Sequence, residues 1–159
     1  MRQAILIYLV LVSRILAESR LYLLASGGEA PYRPISDVGG SIGLYQTGIA
    51  IDYHTRFLTP YSKTTLGYYN HGIFAEQYVG LQLGVETYLV KPSITLGAGI
   101  QSSNEKEFTF GDDYRTKRAT YTPYGYGLRV DALQRIYGEW DWRVNGYPWW
   151  KLEIGYRLL

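Results

Sequence analysis

From residue 78 to the end of the chain, apolar side chains recur at every second position, a period that only an extended backbone can use to separate two faces. Between Tyr78 and Leu89 one face carries Val79, Leu81, Leu83, Val85, Thr87 and Leu89, and the other carries Gly80, Gln82, Gly84 and Glu86. After a turn expected at Val90-Lys91-Pro92-Ser93, Ile94, Leu96, Ala98 and Ile100 oppose Thr95, Gly97, Gly99 and Gln101. Tyr124, Tyr126, Leu128 and Val130 then oppose Gly125, Gly127, Arg129 and Asp131. Ile136, Trp140, Trp142 and Val144 oppose Tyr137, Glu139, Asp141 and Arg143. The last segment sets Trp150, Leu152, Ile154, Tyr156 and Leu158 against Lys151, Glu153, Gly155 and Arg157.

The first half alternates less cleanly. Strands are expected at about 19–26, 40–53 and 63–70, with a phase slip near Gln46-Thr47 that reads as a bulge or an extra turn. The expected total is eight strands, an even number that returns the C-terminus to the side where the N-terminus starts. Short connections are expected near 54–62, 90–93 and 131–134, and long ones at 27–39 and 102–118. The last connection is expected to be short, at 145–148, and Asn145-Gly146 suits a tight turn there, because both residues tolerate positive φ.

Alternation does not say which face is inside, since a soluble lipocalin-like binding barrel has the same period with its apolar face inward. The polar face decides for the opposite sense. It mixes glycines with Glu86, Arg129, Asp131, Glu139, Asp141, Arg143, Lys151, Glu153 and Arg157. Eight strands enclose a lumen just wide enough for side chains. Small residues and opposed charges suit such an interior, because buried charges need partners. Aromatic residues agree: Trp142, Tyr147, Trp149, Trp150, Tyr124 and Tyr126 fall at the expected outer strand ends and Tyr156 at the inner end, as interfacial girdles require.

A chain of 159 residues fits one domain. No run after the N-terminus approaches the ~18 apolar residues of a spanning helix, so membrane crossing falls to strands. The absence of Cys excludes disulfides and thiolate metal sites. Arg2 followed by the apolar run Ala4–Val12, and a small residue at Ala17, read as an export signal over residues 1–17, leaving 18–159 as the barrel. Removing Arg2 and Arg14 takes 16 basic residues to 14, equal to the 14 acids. A net charge near zero argues against a nucleic-acid partner, whose phosphates call for excess Lys and Arg.

Glu139-Trp140-Asp141-Trp142-Arg143, a turn, and Leu152-Glu153-Ile154-Gly155-Tyr156-Arg157-Leu158 resemble the closing hairpin of OmpA-like or OmpX-like eight-stranded outer-membrane proteins. The resemblance covers about the last 25 residues. It implies an antiparallel, up-and-down transmembrane barrel in a bacterial outer membrane, whose terminal strand is recognised by the barrel-assembly machinery. The family ends in Phe where this chain has Leu158-Leu159. The implied role is structural or surface-interacting, among outer-membrane lipids and lipopolysaccharide, with an envelope protein as a further partner and no cofactor.

Candidate chemistry is sparse. Gly39-Gly40-Ser41-Ile42-Gly43 matches a nucleophile elbow in letters, but that motif needs a strand, a sharp turn and a helix, and no helix is expected. His54 and His71 are the only imidazoles and fall near opposite rims. Tyr68-Tyr69-Asn70-His71-Gly72 loosely resembles the region of lipid A deacylases, which supplies an alternative: a lipid A hydrolase using His71, with Ile73 where a Ser is expected. In the segment 104–118, Arg115, Lys117 and Arg118 are suited to phosphates of lipopolysaccharide. The acids there lack the ligand order of a calcium loop.

Overall fold

A computed structural model of the chain describes residues 19–32, 40–54, 57–69, 72–108, 114–133 and 135–159. The expected export signal and His71 lie outside these residues. Nine strand segments follow one another: β1 (Ser19–Tyr32), β2 (Gly40–Tyr53), β3 (Leu58–Tyr69), β4 (Gly72–Gly84), β5 (Val90–Phe108), β6 (Tyr114–Tyr121), β7 (Tyr124–Ala132), β8 (Ile136–Val144) and β9 (Trp150–Arg157). β6 and β7 both pair with β5 and are interrupted at Thr122-Pro123, where Pro123 has no N–H to give a ladder, so they count as one stave. The eight staves are joined in the order β4-β3-β2-β1-β9-β8-β7-β5, and β4 also pairs with β5. The sheet is therefore closed, and every neighbour is antiparallel.

The two faces are sorted as the alternation demands. Leu83, Leu96 and Ile154 point outward and are 51%, 49% and 64% exposed. Lys63, Arg129, Lys151 and Glu153 point inward and are buried. This is the reverse of a lipocalin-like barrel, which holds its apolar face inside.

Several boundaries differ from the sequence expectation. The turn expected at 90–93 is instead the start of β5, and the connection lies at 85–89, where Thr87 closes a turn by accepting from and donating to Val90. Pro92 is tolerated there because it sits near the strand start. β3 begins at Leu58, so the first short connection is only 54–57. Strand reaches into both expected long connections: β1 runs on to Tyr32, and β5 and β6 form a hairpin that continues to the pair Phe108↔Tyr114.

The bulge expected near Gln46-Thr47 is absent. β2 keeps continuous register on both sides, with Gln46↔Ser26 and Thr47↔Ala25 toward β1 and Gln46↔Gly67 and Thr47↔Leu66 toward β3. What broke the sequence pattern is the interior itself, because Leu44 and Ala50 share the inward face with Gln46 and Asp52. At the final turn, Asn145 alone of the expected pair takes a left-handed backbone (φ 58°), and the loop spans 145–149, one residue beyond the expected 145–148.

Candidate functional site

The barrel interior holds a layered set of charges. In its middle layer Lys63 of β3 crosses to β8 and β9, donating to Glu139 Oε2 at 2.6 Å and Glu153 Oε1 at 2.7 Å. Glu153 also accepts from Lys151 Nζ at 2.6 Å and from Tyr137 Oη at 2.8 Å, and Glu139 accepts from Thr95 Oγ1 at 2.9 Å. Each buried carboxylate thus meets several donors, the condition under which a charge is tolerated away from water.

Toward the chain termini, Arg129 donates to Asp52 at 2.5 Å and to Asp131 at 2.6 Å. Its guanidinium carbon stands 3.6 Å from the centroid of the Tyr137 ring, a cation–π contact. Gln82 bridges Asp131 and Ser93. Lys91 donates to Thr59. Toward the opposite mouth, Arg143 pairs with Glu76 and, at 2.8 Å, with Asp141, and lies over the Tyr78 ring. Above it Gln101 donates to the carbonyl of Tyr147 at 2.6 Å and accepts from its N–H at 2.9 Å. Tyr147 stacks on Tyr69, meets Tyr121 edge-on and packs against the buried Leu44 and Phe74, so it lies inside this end of the barrel instead of joining the outer aromatic girdle.

Of the polar residues singled out in the sequence, Arg129, Asp131, Glu139, Asp141, Arg143, Lys151 and Glu153 are brought together in this interior. Glu86 and Arg157 are not. Glu86 follows the end of β4 and lies at the rim, 3.2 Å from His54 Nε2. Arg157 closes β9, half-buried, and donates to the carbonyl of Leu159. Burial lowers the pKa of His54, Arg20 pushes in the same direction, and Glu86 opposes them. Sequence reasoning missed Asp52, Lys63, Glu76 and Lys91. For Asp52, Lys63 and Glu76 the signal was the same two-residue period in the less regular first half, where Asp52 follows Ala50 and Lys63 precedes Thr65 on one face, whereas Lys91 was hidden because 90–93 read as a turn.

Counting the buried charges among the described residues gives six acids (Asp52, Glu76, Asp131, Glu139, Asp141, Glu153) against five bases (Lys63, Lys91, Arg129, Arg143, Lys151). Among the described residues no group of three or more His, Asp or Glu side chains is placed to hold a metal ion. The elbow-like letters at Gly40–Gly43 fall in β2, and no helix occurs among the described residues.

The outside carries exposed apolar side chains on every stave: Leu23, Ile49, Leu66, Val79, Leu81, Ile94, Leu96, Leu128, Trp140, Leu152 and Ile154. Tyr126, Trp142 and Trp140 stack along its β7–β8 side, with ring centroids 5.5 and 4.6 Å apart. Lys117 and Arg118 are exposed on the β5–β6 hairpin, beyond the pairing of β7 with β8. The side chain of Arg115 lies outside the described residues.

No protein-family model matches the chain, and no curated protein matches it. Among solved structures, the N-terminal β-barrel domain of Pseudomonas aeruginosa OprF is similar, with a TM-score of 0.54 and 16% identity over 87% of this chain and 97% of that one. Ail, the attachment invasion locus protein of Yersinia pestis, aligns over 89% of this chain and 99% of that one at 14% identity, with a TM-score of 0.48. At 16% identity the likeness to the OprF domain is one of fold. The chain is a closed, antiparallel, eight-stranded barrel of the small type that the OprF domain forms, with its charges inside and its apolar side chains outside.

Proposed function

We propose that this chain is an integral protein of a bacterial outer membrane, a closed barrel that anchors surface hairpins in a structural or surface-interacting role. The observation that carries the reading is the exposed apolar belt around a charged, filled interior. Isolated exposed apolar residues are ordinary on soluble proteins, but a belt that reaches every stave is not, and a hydrocarbon surround removes its contact with water. Membrane fractionation is the test, with heat-modifiable migration on a gel as the readout. The expected result is recovery in the outer membrane and a shift between unheated and boiled samples. A fully soluble, detergent-independent protein overturns the reading.

Lipopolysaccharide is the proposed surface ligand, through Lys117, Arg118 and Arg115 on the β5–β6 hairpin. Phosphate groups accept charge-assisted hydrogen bonds from such side chains. Cosedimentation with lipopolysaccharide-containing vesicles is expected to weaken on combining Lys117→Glu with Arg118→Glu and at high salt; unchanged binding removes this part. The barrel-assembly machinery is the proposed partner during insertion, with a further envelope protein as a partner at the surface. The lipid A hydrolase alternative rests on His71, and no described residue adds to it.

A further inference from the structure

The outward face of β3 and β4 departs from the apolar rule. Along β3 the outward row runs Leu58, Pro60, Ser62, Thr64, Leu66, Tyr68, and along β4 it runs Ile73, Ala75, Gln77, Val79, Leu81, Leu83. Ser62, Thr64 and Gln77 thus occupy the middle of these rows, not the ends. Thr64 is the register partner of Gln77, and Ser62 that of Val79. Thr64 Oγ1 donates to Gln77 Oε1 at 2.5 Å, and Gln77 Nε2 donates to Ser62 Oγ at 2.8 Å. A primary amide offers two N–H groups and two acceptor positions. Those two bonds use one of each and leave one donor and one acceptor on the same outward side chain. In hydrocarbon neither finds a partner. Across the barrel, β7, β8 and β9 present Leu128, Trp140, Leu152 and Ile154, which ask for none.

We propose that the β3–β4 face around Gln77 is a lateral interface with a second copy of this chain in the plane of the membrane. This rests on the membrane reading above. The second copy follows from the chemistry of the leftover groups. A two-fold axis beside Gln77 sets the free donor of each amide against the free acceptor of the other, the self-complementary contact that a symmetric dimer requires. Ala75 and Ser62, small neighbours of Gln77, let two barrel walls approach closely, as small residues do between membrane-embedded segments.

The chain contains no Cys, so a single introduced thiol reports on one position. β9 lies four staves from β4 in either direction round the barrel, which makes Ile154→Cys the opposite-face control for Val79→Cys. The full chain carrying each change is reconstituted into phospholipid vesicles and oxidised. A dimer band is expected from Val79→Cys and not from Ile154→Cys, and adding Gln77→Leu to Val79→Cys is expected to reduce that band several-fold. Equal bands from both positions, no band from Val79→Cys, or a band indifferent to Gln77→Leu overturns the proposal. Heat-modifiable migration is read on the same samples. Insertion without the dimer sinks the interface and leaves the membrane reading standing, whereas failure to insert sinks both.

Discussion

Lys63 spans the lumen and holds two carboxylates from different strands, Glu139 and Glu153. Replacing it with Met keeps the volume and removes the charge. Glu153 retains Lys151, but Glu139 keeps only the Thr95 hydroxyl among its bonds in this layer. Stranding a buried charge costs on the order of 3 to 5 kcal/mol. Lys63→Met is therefore expected to lower stability by that order in urea unfolding from lipid vesicles, with Lys63→Met/Glu139→Gln recovering part of the loss. At the rim, burial and Arg20 hold the pKa of His54 below its ordinary value of about 6.5. The unfolded chain then binds the proton more readily. The associated stability is complete above about pH 6.5 and declines as pH falls through that value toward the folded pKa. Unfolding midpoints at about pH 8 and about pH 5 are expected to differ by less in His54→Gln than in the parent. An equal difference in both would remove His54 from the account.

At the scale of the strand, inward aromatic rings lie over glycines of the neighbouring stave. Tyr137 of β8 covers Gly155 of β9, and Phe74 of β4 covers Gly67 of β3; a Cβ on either glycine would run into the ring. Tyr137 is also held by its bond to Glu153 and by the Arg129 guanidinium, so it cannot simply swing aside. Gly155→Ala is expected to destabilise by about 1 to 3 kcal/mol, the usual cost of overpacking, read from the same urea titration. On the outer face, Leu96→Arg places a charge against hydrocarbon and is expected to cost about 2 to 4 kcal/mol near the bilayer midplane. A folded yield and midpoint unaffected by it would contradict the outward orientation in lipid.

The same elements explain what could be read in advance. From β7 onward the inward positions are glycine or charged apart from Tyr137, and the outward ones are apolar apart from Gly138, so alternation gave face and phase together. In β1 and β2 the interior takes Tyr22, Leu24, Leu44 and Ala50, so polarity no longer marks the inside and a continuous strand looked broken. Strand ends were less legible. The outer segments carry turn-like residues such as Gly27-Gly28 and Ser102-Ser103-Asn104, yet pairing with a neighbour continues the ladder through them. Asp131 beside Arg129 and Asp141 beside Arg143 lie two residues away on the same strand, but their second partners, Asp52 and Glu76, come from staves across the lumen, a proximity set by closure that no local spacing encodes.

Taken whole, the molecule is a tube whose bore is occupied. Arg129, Lys63, Lys151 and Arg143 are buried along its length, and Tyr147 is bonded to the buried Gln101 inside one end. Planar-bilayer recordings are expected to show no steady open conductance, and a stable open level would contradict the filled lumen. The pairing of the first stave with the last, Tyr22↔Arg157 through Glu29↔Trp150, carries its own consequence. Every other hairpin joins stretches adjacent in the chain, but this seam joins the first described stave to the last. Without the eight residues of β9, β1 and β8 each keep a raw edge of unanswered N–H and C=O groups, intolerable in lipid and adhesive in water. A chain truncated before Trp150 therefore leaves both edges open and cannot close into this barrel.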